Sequence, residues 1–110
     1  MSIAIFVSGP LYSSGLCAQN VRAAVVAADQ LMTAGFVPFV PHVNVLAEMM
    51  VPRCKEDWIE WDLRWLERCD GLLRIPGKSV HGDLEMRHAE RLSIPVFHSL
   101  SEVEAYFGKR

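Results

Sequence analysis

The chain is poor in everything that would tie it to a membrane, a nucleic-acid polymer or an oxidising compartment. It has three cysteines in 110 residues (Cys17, Cys54 and Cys69), an odd number with no C-x-x-C pair. That excludes a disulfide framework and reads as reduced thiols in a cytoplasmic protein. No apolar run reaches the roughly 20 residues that a membrane-spanning helix needs. Met1 to Val7 are too few and too uncharged for a signal peptide and lead straight into a strand. Eleven Lys and Arg against thirteen Asp and Glu leave no surplus cation to grip a phosphodiester backbone. The four histidines (His42, His81, His88, His98) show no H-x-x-x-H or Cys/His ligand spacing, so no metal site is expected. G-x-S-x-G and GxxxxGK[ST] are also missing, and no cofactor is implied.

What remains is a globular composition. Apolar residues make up 51% and charged residues 22% of the chain, enough for one core over residues 1–110 and too few residues for two. Short apolar runs at Ile3–Val7, Phe36–Val40, Gly71–Ile75 and Pro95–Phe97 read as strands. Pro38 suits an edge position. Helical spacing covers about Cys17–Ala34, closed by Gly35, then about Lys55–Cys69 and Gly82–Leu92. His42–Pro52 carries the least pattern and reads as a loop with one helical turn. Ser101 with Glu104 three residues on has the form of a capping box before a last short helix. Strands alternating with helices predict βαβ units: a single-domain α/β fold with a mainly parallel, Rossmann- or flavodoxin-like sheet of 4–5 strands flanked by helices. Ligands bind beyond the carboxyl ends of such strands, which directs attention to the loops Ser8–Gly15 and Pro76–His81.

Two carboxylates sit on the wrong side of their helices. With Trp58 as zero on a wheel of roughly 100° per residue, Trp61, Trp65, Leu66, Ile59, Leu63 and Cys69 fill the apolar arc, and Asp62 falls at about +40°, in its middle. With Asp83 as zero, Leu84, Met86, Ala89 and Leu92 are apolar, and Glu85 falls at about 200°, the centre of their arc. A carboxylate facing a core costs several kcal/mol unless it is paired, hydrogen-bonded or opens on a cavity. One such acid is usually structural. Two in successive helices, one beside a crevice loop, point to a shared site. Paired acids suit glycosidic bond cleavage or acid–base work on a small substrate. The loop G-P-L-Y-S-S-G ahead of a helix offers backbone N–H groups and the Ser13 and Ser14 hydroxyls to a phosphate.

Together these residues resemble the nucleoside 2-deoxyribosyltransferase-like superfamily, which includes nucleoside 5′-monophosphate N-glycosidases and a branch of small bacterial proteins. The resemblance runs from I-F-V-S-G-P at the first strand to I-P-V-F near the end. It is carried by Phe6 to Gly9 as an aromatic-x-x-Gly turn, by Asp62-Leu63-Arg64-Trp65-Leu66 followed by Cys69-Asp70, and by Ser79, Glu85 and Ala89 in S-V-H-G-D-L-E-M-R-H-A. It implies cleavage or transfer of the N-glycosidic bond of a nucleoside or nucleoside 5′-monophosphate. Glu85 would be the nucleophile or oxocarbenium stabiliser, and Asp62 would contact or protonate the base. Phe6, Gly9, Ser13, Ser14, Ser79 and Gly82 would line the substrate, the loop and Ser79 holding its 5′ end. It also implies a homodimer or higher oligomer. Phe6 stands where the best-known members carry a Tyr whose hydroxyl orients the Glu, and His81-Gly82-Asp83 replaces a Gly-x-Gly run. Both departures favour an alternative, a catalytically silent nucleotide-binding module of the same fold. A purely structural oligomer leaves the two acids unexplained.

Other residues carry two readings each. His42 lines the base pocket or is an exposed loop histidine, and His81 touches a phosphate or faces solvent. Asp70 caps or turns the chain ahead of the third strand. Trp58, Trp61 and Trp65 form a stripe that belongs to the core or a dimer interface, or offers one ring for stacking on a base. Asn20, Arg22 and Lys78 belong by default to solvated surfaces, and Cys69 to the interior. Near the helix start, Glu85 is expected to be ionised at neutrality, with Asp62 as the proton carrier.

Overall fold

The computed structural model describes residues 1–110, the side chain of Ser14 excepted. Four strands, β1 (Ala4–Ser8), β2 (Val37–Phe39), β3 (Gly71–Arg74) and β4 (Val96–Phe97), pair in the order β2-β1-β3-β4, every pair parallel. Five helices flank them: α1 (Cys17–Thr33), α2 (Asn44–Met50), α3 (Lys55–Leu66), α4 (Val80–Arg91) and α5 (Leu100–Phe107). This is the α/β architecture that the alternation of elements implied, with four strands and no antiparallel one. β2 pairs on one side only, where Pro38 has no ladder bond to lose. No helix among the described residues is long and apolar enough to cross a membrane.

The alternation of side chains along β1 sorts the helices. Ile5 and Val7 pack with Ala24, Ala28 and Leu31 of α1 and Val103 of α5. Phe6, pointing the other way, packs with Leu66 of α3, Ala89 of α4 and Leu72. α1 closes with Gly35 at φ +93°. Gly35 N–H reaches the Met32 carbonyl and Phe36 N–H the Leu31 carbonyl, the two bonds of a Schellman end.

Three local expectations need correction. The patternless stretch after β2 holds a 3₁₀ turn (Pro41–Val43) and all of α2; α2 buries no residue, so it leaves no periodic apolar face to read. α4 begins at Val80, ahead of Gly82, because the Ser79 side chain accepts the Gly82 N–H at 2.9 Å and caps it. The last helix is capped by Ser99, not Ser101: Ser99 Oγ accepts the Glu102 N–H at 3.2 Å and Glu102 accepts the His98 N–H at 3.0 Å. Both Ser-x-x-Glu pairs fit the motif, and only the earlier one precedes the turn that buries Val103.

β1 is followed by a crossover to one side of the sheet and β3 by one to the other, so a crevice opens between their carboxyl ends. There the chains approach closely. A Cβ on Gly9 would lie 2.1 Å from Ile75 Cγ1, so only glycine fits beside β3.

Candidate functional site

A cleft of about 440 Å³ lies over these carboxyl ends. Leu11 and Tyr12 enter it from the loop after β1, Pro41 from the turn after β2, Asn44 and Glu48 from α2, Lys55, Trp58 and Asp62 from α3, and His81 from α4. A cleft of this size and position accommodates a small-molecule ligand. The Asp62 carboxyl opens on it, with the Asn44 amide 3.5 Å away. Burial without a cation pushes the Asp62 pKa up to about 7.

Glu85 sits deeper, 7% exposed. Ser8, the last residue of β1 and on the same side of the strand as Phe6, donates its Oγ–H to Glu85 Oε1 at 2.7 Å. Burial is the main influence and pushes the Glu85 pKa up to about 8. The Ser8 bond lowers it, the Asp62 charge raises it and the Arg74 charge lowers it, so the Asp62 charge is felt at Glu85. The expected order of ionisation is therefore reversed. The helix begins at Val80, which leaves Glu85 in its second turn, beyond the reach of the positive end, and burial dominates.

Arg74 ends β3 as a buried guanidinium. It donates to the Ile75 and Gly77 carbonyls and lies 3.3 Å from Asp83. Among the described residues its buried Nε has no hydrogen-bond partner. Gly82 makes room for it, since a Cβ there would fall 2.9 Å from Arg74 Cζ. The role of Gly82 is thus to admit a cation beneath the loop.

The remaining expected residues form the frame of the cleft and do not line it. Phe6 is fully buried and stacks on Phe39, with ring centroids 5.6 Å apart, so it has no surface to offer a substrate. The Gly9 carbonyl lies 3.2 Å from His42 Nε2 and 3.5 Å from Ser79 Oγ. The Ser79 hydroxyl is engaged there and in the α4 cap. Ser13 donates to the Lys78 carbonyl at 2.7 Å and ties the two crevice loops together. The Ser14 side chain lies outside the described residues. His42 is neither exposed nor a pocket wall: it is 3% exposed and its Nε2 lies within 3.2 Å of the Gly9 and Pro10 carbonyls. Both partners are acceptors, so Nε2 carries the proton, and burial holds the ring neutral. Asn20 donates to the Leu11 and Ser13 carbonyls, and Asp70 accepts the Ala4 N–H at 2.7 Å; both are structural.

Neither a comparison with protein-family models nor one with curated proteins gives a match for this chain. The site therefore stands on its geometry. Two of its working groups escaped the sequence reading. Ser8 had a signal, as a hydroxyl on the Phe6 side of β1. Arg74 had a stronger one, a cation inside the apolar run G-L-L-R-I.

Proposed function

We propose that the protein cleaves or transfers the N-glycosidic bond of a nucleoside or nucleoside 5′-monophosphate. The observation that carries this reading is the pair of protonatable carboxyls, Asp62 on the cleft wall and Glu85 beneath it, raised to about 7 and about 8. As the C1′–N bond breaks, its electron pair goes to the base and positive charge grows on the sugar ring. An ionised Glu85 stabilises that charge or bonds to C1′, and protonated Asp62 supplies a proton to the leaving nitrogen. Water or a second base then takes the glycosyl group. The Ser8 hydroxyl does for Glu85 what the resemblance assigns to a tyrosine at position 6. Trp58 offers a flat apolar face, and its indole N–H is held by Glu48 at 3.1 Å.

The second reading, a nucleotide-binding module without turnover, is favoured by the burial of Glu85 and by a pKa that leaves it mostly neutral at pH 7. Incubation with a panel of nucleosides and 5′-monophosphates, followed by chromatography for free base, separates the two. Free base supports the enzyme, binding without release supports the module, and absence of both removes the nucleotide reading altogether.

The working form is a homodimer. Leu46, Met49, Met50 and Val51 at α2 are 60–75% exposed, and Trp61 and Trp65 add half-open indoles next to the unpaired edge of β2. A second copy covers such a face most simply. Light scattering at micromolar concentration should give twice the chain mass; the mass of a single chain would sink this part of the reading.

A further inference from the structure

Among the described residues, one acid and one Lys or Arg side chain are buried, Glu85 and Arg74, and they form no ion pair with each other. A buried charge is costly, and Arg74 adds to the cost by lying under the positive end of α4. The carbonyls of Ile75 and Gly77 that it holds need donors and not a charge. Asp83 answers that charge only in part, at 3.3 Å from one nitrogen and half-exposed to water. Water weakens such a pair, which leaves Arg74 a charge that its own partners do not balance.

The backbone sets Glu85 beside it. Arg74 and Ser8 are register partners on β3 and β1, about 5 Å apart, so their side chains leave one face of the sheet together. Ser8 Oγ lies 2.7 Å from Glu85 Oε1 and 3.5 Å from the Gly82 carbonyl. Gly82 rests on the guanidinium, and Glu85 follows it on the same face of α4, about 5 Å along the axis. Among the described residues no other cation competes for this place. α3 brings Asp62, which opposes ionisation of Glu85, and Glu67, which His88 and Arg64 hold. β1 brings the Ser8 hydroxyl, and β4 brings no charged group. Along α4, burial and then the Lys55 charge lower the His81 pKa and keep that ring neutral, and Arg87 is exposed.

We infer that Arg74 is the positioning residue that makes Glu85 ionisable: its guanidinium balances the Glu85 carboxylate, and Asp83 tunes the balance by sharing that charge. Its importance for catalysis rests on the reading above, in which ionised Glu85 faces the sugar; the charge relation itself does not. When Glu85 gives its proton to solvent, the carboxylate keeps the Ser8 hydroxyl as donor and the Arg74 charge as counterweight. Burial raises the Glu85 pKa to about 8, and without Arg74 it would lie higher still.

Carbon-13 NMR of the labelled full chain tests this by following the Glu85 carboxyl resonance, assigned with Glu85→Gln, from acid to alkaline pH. Arg74→Met should raise the proton affinity of Glu85 by about tenfold or more. Arg74→Lys keeps the charge and loses the planar fork that holds the turn, and should stay within about threefold of the parent. Asp83→Asn should lower the affinity several-fold, and the same change made in Arg74→Met should leave it unmoved. An unshifted midpoint in Arg74→Met overturns the inference. So does Arg74→Lys behaving like Arg74→Met, which would mark a structural clamp. An Asp83 effect that persists in Arg74→Met overturns the sharing. Should Arg74→Met not fold, Asp83→Asn in the parent decides, and an affinity that holds or rises there overturns the inference. Free-base release is read separately on the same proteins. Shifted midpoints with no release from the parent leave Arg74 in its role and remove the enzyme reading; release with unshifted midpoints does the reverse.

Discussion

Glu85→Gln should abolish release of free base, by about a thousandfold or more, and should make the fold more stable at alkaline pH. The amide keeps the size of the side chain and can still accept the Ser8 hydroxyl, but it can neither carry the charge that faces the sugar nor bond to it. The stability effect follows from the same burial. The folded pKa of Glu85, about 8, lies above the ordinary 4.5, so the native state binds the proton more tightly than the unfolded chain does. Stability is then highest below the ordinary value, declines as pH rises and reaches its full loss above about 8. The difference corresponds to roughly 5 kcal/mol between acid and alkaline conditions. Asp62 acts in the same sense and more weakly, because it is less buried. Urea midpoints at pH 5 and pH 9 check this: the variant should lose less stability than the parent on going to alkaline pH. Identical pH dependence in both proteins would mean that Glu85 is not the buried proton carrier described here.

The parts of the site that were legible in the sequence are those where burial and charge conflict. Asp62 and Glu85 stand out on a wheel because nothing about an amphipathic helix explains them, and both lie on the inward side of α3 and α4. The strands were legible for a related reason, since Ile5, Phe6 and Val7 are apolar on both faces of a central strand. Other features leave no such conflict. Ser8 ends a strand, where a hydroxyl is ordinary, and only the packing of α4 against β1 brings it to Glu85. α2 buries no side chain, so its apolar residues show no helical period, although Asn44, Val45 and Glu48 of this helix line the cleft. Ser79, Gly9 and Gly82 hold motif positions that ligand contact and backbone packing explain equally well. Here Ser79 caps α4, Gly9 admits Ile75 and Gly82 admits Arg74. A motif fixes where such residues sit; the hydrogen bonds around them decide what their polar atoms are free to do.

Asp62→Asn should separate substrates by the basicity of the base they release. An ordinary purine or pyrimidine leaves as an anion unless a proton arrives, so removing the donor should slow release by about 10²–10⁴-fold. A 7-methylguanine nucleotide already carries positive charge on its base and departs neutral, so its release should slow by less than about tenfold. The pH profiles should change shape as well. In the parent protein the working form needs Glu85 ionised, which is favoured above about 8, and Asp62 protonated, which is favoured below about 7. Only a minority of molecules meets both conditions, and the rate should follow a bell with its maximum between the two values. In Asp62→Asn the alkaline limb has no group left to produce it, and the 7-methylguanine substrate should show a single rise to a plateau. That rise should also move to lower pH, because the Asp62 charge opposes ionisation of Glu85 in the parent and is gone in the variant. Equal slowing of both substrates, or a bell that persists in the variant, would show that Asp62 holds the substrate and does not protonate it.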